Sequence, residues 1–409
     1  MKKISLLVFF ISLLGCKKEY TPENKIKDDV AFLADDKLEG RQTGSDGEKA
    51  AADYIAERFK ALGLVAKGTN DYFQAFTFKP KTNPHQKVNY TVKEGDSTIT
   101  GTNVVGFINN NVENTVVIGA HYDHLGRGAE GSLYRGEDST AIHNGADDNA
   151  SGVAILLNLA SKLKTENKGN NYLFIAFSGE EMGLLGSNYF VKNSTIDTNK
   201  MNYMINMDMV GRLKVDSTLA VYGVGTSPIL KQTLTAHNSS FKLIQKESGV
   251  GPSDHTSFYN ADIPVLHFFT GQHEDYHKPS DDSEKLNYDG MQIISNYIFE
   301  VITDLDNNDK LSFRKTKNES EETPRFKVGL GVIPDYLYDG IGLRIDGISE
   351  DKPAQKAGLE KGDIVIKLGD SVVTDMMSYM KVLATFEKGD STKVVVDRNG
   401  EDVEAVIAF

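Results

Sequence analysis

A chain of 409 residues is longer than one typical domain, so two or three folding units are expected. Its 25% charged and 39% hydrophobic residues are those of a soluble globular protein. The formal net charge of -13 argues against nucleic acid as the main partner, because neutralising phosphates requires a basic face.

In chain order, the first element is a targeting segment. Lys2 and Lys3 precede the apolar run ISLLVFFISLLG, which is too short to cross a bilayer as a mature helix and has the layout of a secretory signal over residues 1–15. The ending LLGC resembles the bacterial lipobox. That resemblance implies cleavage before Cys16, lipidation of Cys16, and an exported lipoprotein held at the membrane by its lipid anchor, on the periplasmic side or the outer surface. Cys16 is also the only cysteine, so an intrachain disulfide and cysteine-protease chemistry are both excluded. Residues 16–24 read as a polar tether.

A globular unit is expected over residues 25–304. Tyr54, Ile55, Arg58, Phe59 and Leu62 recur at helical spacing, with Ser45 or Asp46 as a cap and Gly63 as the stop. NTVVIGAHYD and NYLFIAFSGEE are β-rich apolar runs, and the helical SGVAILLNLASKLK lies between them. Strand, helix and strand in this order make a βαβ unit, so the fold class is α/β with a mainly parallel central sheet flanked by helices. KMNYMINMDMVG and IPVLHFFTG extend the same sheet. Ligands collect beyond the carboxyl ends of such strands. These strands end in AHYDH, SGEE, MDM and HFFTGQHEDYH, a concentration of histidine and carboxylate suited to a borderline metal such as zinc.

Two metal arrangements compete. HEDYH, His273–His277, matches H-E-x-x-H literally, but that motif needs a continuous helix, and Gly271 and Pro279 leave room for little more than two turns. The alternative distributes the ligands over several strand ends. SDH, Ser253–His255, cannot make a serine triad from three consecutive residues, and no G-x-S-x-G elbow is present. Arg212, His124 and His143 are weaker candidates for lining or supporting a site.

GAHYDHLG, NGADDNASGVA, FSGEEMGLLGS, NMDMVGR and HEDYHKPSDD, in this order and spacing, resemble zinc-dependent metallopeptidase family 28, which includes bacterial leucyl aminopeptidases and glutamate carboxypeptidase. The resemblance implies a zinc exopeptidase fold and two zinc ions. His121 and Asp208 would hold one ion, Glu181 and His277 the other, and Asp148 would bridge them. Glu180 would be the general base toward a water shared by the metals, Asp123 would orient His121, and Asp147 would serve as a structural partner. A cis peptide after Asp148 is also implied. The expected activity is removal of N-terminal residues from peptide substrates. Carboxypeptidase and glutaminyl cyclase are alternatives within the family, and a catalytically inactive peptide-binding lipoprotein is the alternative outside it.

Residues 305–324, LDNNDKLSFRKTKNESEETP, read as a linker, and residues 325–409 as a small β-rich unit. There KPAQKAGLEKGDIVIKLGD and the upstream GLGV resemble a PDZ domain, which implies capture of a chain terminus by Gly329, Leu330, Gly331 and Val332. Gly369-Asp370 stands where an Asn-Gly turn is usual.

Overall fold

The computed structural model describes residues 22–80, 90–128, 131–166, 169–317, 327–335, 338 and 340–409. The expected signal, Cys16, most of the tether, His85 and the end of the expected linker lie outside the described residues.

The N-terminal unit opens with α1 (Pro22–Leu33) and α2 (Asp46–Ala61). Ser45 caps α2 by accepting from the Glu48 amide, and Ala51, Ile55 and Phe59 form its buried face. Strands β1 (Val65–Ala66), β2 (Phe73–Phe78), β3 (Ile99–Ile108) and β4 (Thr115–His121) follow, then α3 (Gly152–Glu166), β5 (Asn171–Phe177) and α4 (Leu185–Lys192). The unit continues through β6 (Met201–Met207), β7 (Thr218–Tyr222), α5 (Leu230–Ala236), β8 (Lys242–Lys246), α6 (His255–Tyr259), β9 (Val265–Phe269) and α7 (Tyr288–Leu305).

These strands form one sheet in the order β1-β3-β5-β4-β6-β9-β7-β8, with β2 also on β3. Its centre, β5-β4-β6-β9, is parallel, and both flanks turn antiparallel where β3 meets β5 and β7 meets β9. Every residue of β4, β5 and β6 is buried, which explains their continuous apolar runs: helices cover both faces. Helix α3 is apolar almost all round because it lies between the sheet and helices α1 and α7. In the parallel register His121 sits level with Phe177, so the segments after β4 and β5 leave the sheet together. This is the edge where the chemistry collects.

The C-terminal unit contains β10 (Val332–Pro334), β11 (Leu343–Ile348), α8 (Pro353–Lys356), β12 (Ile364–Leu368), β13 (Ser371–Val372), α9 (Met376–Leu383), β14 (Ser391–Arg398) and β15 (Glu401–Ala408). It is an antiparallel sheet with its own core around Leu330, Ile345, Val365, Tyr379 and Val394. Gly369-Asp370 is a two-residue hairpin turn between the paired Leu368 and Ser371. Only its first position, at φ 58°, is left-handed, so glycine supplies what the turn requires.

The expected linker does not leave the first unit at residue 305. Leu311 joins its core and Phe313 packs on Tyr259, while the Arg314 amide donates to the Thr226 carbonyl. Apolar residues spaced through a polar stretch were enough to lay the chain along the body. Among the described residues no helix is long and apolar enough to cross a membrane.

Candidate metal centre

Asp148 is 4% exposed, and its two oxygens face different partners. Oδ1 lies 3.3 Å from His121 Nε2, and that nitrogen is 3.4 Å from Asp208 Oδ1. Oδ2 lies 3.3 Å from His277 Nε2, which is 3.2 Å from Glu181 Oε2. Tetrahedral zinc with bonds of about 2.0 Å would separate neighbouring ligand atoms by about 3.3 Å. Both groups therefore have the spacing of ligands around an ion, and Asp148 belongs to both.

The backbone explains the convergence. His121 is the last residue of β4 and Asp208 the first after β6. Gly179, at φ 72°, turns the chain after β5 and delivers Glu180 and Glu181 to the same edge. The His121 Nδ1 donates to the Asp123 carbonyl at 3.1 Å and the His277 Nδ1 to the Gly131 carbonyl at 2.9 Å, so each ring turns its Nε2 toward the carboxylates. His277 itself has a left-handed φ of 55°.

Asp123 does orient His121, through its main-chain oxygen rather than its carboxylate, whose Oδ1 is 3.7 Å away. That carboxylate instead accepts from the Glu180 amide at 3.1 Å and from the Thr43 hydroxyl at 3.0 Å. It thereby holds the Glu180 backbone against β4. The Asp148–Asn149 peptide is cis.

Asp147 points away from this centre. Its Oδ1 accepts from the Gly211 amide at 2.6 Å and its Oδ2 meets His273 Nε2 at 3.1 Å. His273 is thus committed elsewhere, and His273–His277 forms a turn instead of the helix that H-E-x-x-H requires. Arg212 pairs with Asp275 of the same turn at 3.2 Å. Ser253 accepts from Asn206, and His255 stacks on His267 at 4.4 Å, so SDH is no triad. Val250 to Ser253 line a cavity that Asp148, Glu180, Glu181 and Asp208 also line.

Charge makes the case for a cation independently. Burial opposes ionisation of Asp148, yet His121 and His277 hold it well below the usual carboxylate range. Burial opposes a charged His277, but bonds to Asp148 and Glu181 push it up to about 11. Burial also raises Glu180 well above its ordinary range, helped by Asp208 and Glu181. Without a metal, this crowd of carboxylates favours protonated His121 and His277; one or two divalent cations would balance the charge with the same donors.

Three supporting residues carried little or no signal in the sequence. His124 donates Nδ1 to Glu181 Oε1 at 2.7 Å, a hydrogen-bond distance, and is 3.9 Å from Asp148 Oδ2. His124, Asp148 and Glu181 also lie close enough to hold an ion. The Nε2 of His277 is evenly spaced from both carboxylates, whereas His124 is already bonded to one of them. Asp281 Oδ2 accepts from the amides of Asp147 and Asp148 at 3.0 and 3.1 Å and holds the adjacent aspartates in place; it was visible only as part of KPSDD. Arg41, fully buried, donates to the carbonyls of Leu33, Tyr122, Asn144 and Gly145. It ties the His121 segment to the Asp148 segment, and nothing in LEGRQTG announces it.

Residues 103–302 match the model of peptidase family M28, and residues 311–408 match the PDZ domain model. The chain is 32% identical over 166 residues to aminopeptidase YwaD of Bacillus subtilis, covering 38% of this chain and 36% of the relative. It spans less than half the length of that relative. The fold superposes on a zinc aminopeptidase of Bacillus subtilis with TM-score 0.54 at 18% identity, covering 72% of this chain and 96% of the other. It superposes equally on Porphyromonas gingivalis glutaminyl cyclase, TM-score 0.54 at 18% identity, covering 69% and 98%. At these identities the likeness to the solved structures is one of fold.

Arg41→Leu should leave four buried carbonyls without their donor and lower stability by about 3–5 kcal/mol. Chemical denaturation measures it, and a loss below about 1 kcal/mol would contradict the role given to Arg41.

Proposed function

From a peptidase family M28 domain at residues 103–302 and a PDZ domain at residues 311–408, we propose that this chain is a di-zinc aminopeptidase, a metal-dependent exopeptidase that removes N-terminal residues from peptides. The observation that carries the reading is Asp148, whose two oxygens are each 3.3 Å from the Nε2 of a different histidine. His121 and Asp208 would hold one zinc, Glu181 and His277 the other, and Asp148 both. Bound zinc would supply Lewis acidity for the scissile carbonyl and acidify a water.

The chain's own residues do the rest. Glu180 opens on the same cavity as these ligands without sharing their hydrogen bonds to histidine; once bound zinc offsets the burial and the neighbouring carboxylates that raise it, its carboxylate would accept a proton from the attacking water. It then returns that proton to the leaving amine, which departs as a neutral product. The Asp123 carboxylate, bonded to the Glu180 amide, keeps the base in register with His121. His124 fixes Glu181 from behind.

The aminopeptidase name of the Bacillus subtilis relative supports this activity. The equal fold likeness to a glutaminyl cyclase keeps cyclisation as the second reading. In the PDZ domain, Gly331 at φ 79° turns the loop of Gly329–Val332, which we take as the receiver of a chain terminus. At the other end, Cys16 is taken as the lipidated residue of an exported, membrane-anchored protein, on the strength of LLGC alone.

Peptides with free N-termini should be cleaved and their acetylated counterparts not, and Glu180→Gln should lose about 10²–10⁴-fold in kcat while keeping its metal. Ammonia release from N-terminal glutamine without peptide cleavage would favour the cyclase instead. Cys16→Ser should move the exported protein from the membrane fraction to the soluble one; continued sedimentation with membranes would remove the anchor from the account.

A further inference from the structure

Helix α9 belongs to the C-terminal domain, yet it faces the catalytic cavity. Tyr379 and Leu383 anchor the helix in its own core. Met377 and Met380, three residues apart and so on one helical face, line the same cavity of about 450 Å³ as Asp148, Glu180, Glu181, Asp208 and His277. Both methionines are only partly buried. The first domain adds the apolar Val250 and Phe269 to the same lining. The lining therefore joins ionisable groups of the first domain to apolar side chains from both domains.

Two ion pairs cross between the domain that carries α9 and the first domain: Lys214 meets Asp346 at 3.1 Å and Lys361 meets Glu274 at 3.3 Å, while Lys361 also pairs with Asp346 of its own domain at 3.4 Å. Asp346 is 8% exposed, so its pairs are screened less than surface pairs are. Glu274 sits in the turn that ends at His277. The clasp thus joins the C-terminal domain to the loop carrying that histidine.

We propose that α9 forms one wall of the substrate cavity, with Met377 and Met380 as specificity-determining residues that contact an apolar side chain of the substrate's N-terminal residue. The proposal rests on the aminopeptidase reading. Thioethers on unbranched, flexible side chains adapt to leucine-, methionine- or phenylalanine-like groups. A charged substrate side chain placed against them would lose its hydration without gaining a partner.

The test compares kcat/KM for p-nitroanilides of free leucine, alanine and lysine in the full chain. Met377→Ala and Met380→Ala should each lower the leucine-to-alanine ratio about tenfold, the scale of a lost apolar contact. Met377→Glu should shift preference toward lysine, a gain that a merely structural methionine would not produce. Calorimetric binding of leucine, which needs no catalysis, should weaken by the same factor in Met377→Ala. A leucine-to-alanine ratio and a leucine affinity both within about twofold of wild type in the alanine variants would overturn the wall. A wild-type protein that binds leucine through these residues but cleaves none of the anilides would instead overturn the activity.

Discussion

The site is organised around a single buried carboxylate shared between two histidine–carboxylate groups. The main chain of Asp148 is held by Asp281, which accepts from two successive amides, and the chain just before it by Arg41, which donates to the carbonyls of Asn144 and Gly145. Mutual repulsion among Asp148, Glu181 and Asp208 would drive these groups apart in an unconstrained loop. Buried strands of fixed register prevent that. Their ends deliver His121, Glu180, Glu181 and Asp208 to one edge, and a cation held there would complete the balance of charge.

The adjacent Asp147 has a different job from its neighbour. It joins the Gly211 amide and His273, so one aspartate addresses the proposed metals while the other locks the loops around them. The same pairing disposes of H-E-x-x-H as a local metal motif. His273 faces Asp147, and its partner in the motif, His277, faces Asp148 from a turn with a left-handed φ.

Much of this was legible in the sequence where chemistry and periodicity coincide. Continuous apolar runs ending in ionisable residues located the parallel strands and the edge at which ligands gather, and the motif series implied the residues that converge. Arg41, His124 and Asp281 were harder because they act through carbonyls, amides and another ligand, and such roles leave no spacing signature. Asp123 was expected to orient His121, and the contact from Nδ1 is to the main-chain oxygen of Asp123 rather than to its carboxylate. Residues 311–317 read as linker by composition, since a few apolar side chains among charges reveal their burial only once the surface they cover exists. Met377 and Met380 were invisible for a similar reason: a helix face in one domain acquires meaning from the cavity of another.

The shared position of Asp148 is tested most directly by titrating zinc into metal-free protein and counting tightly bound ions per chain. The account predicts two in the wild type and loss of both tight sites in Asp148→Ala, because each group would lose the ligand it shares. One tight ion in the wild type, or two surviving the loss of Asp148, would contradict it.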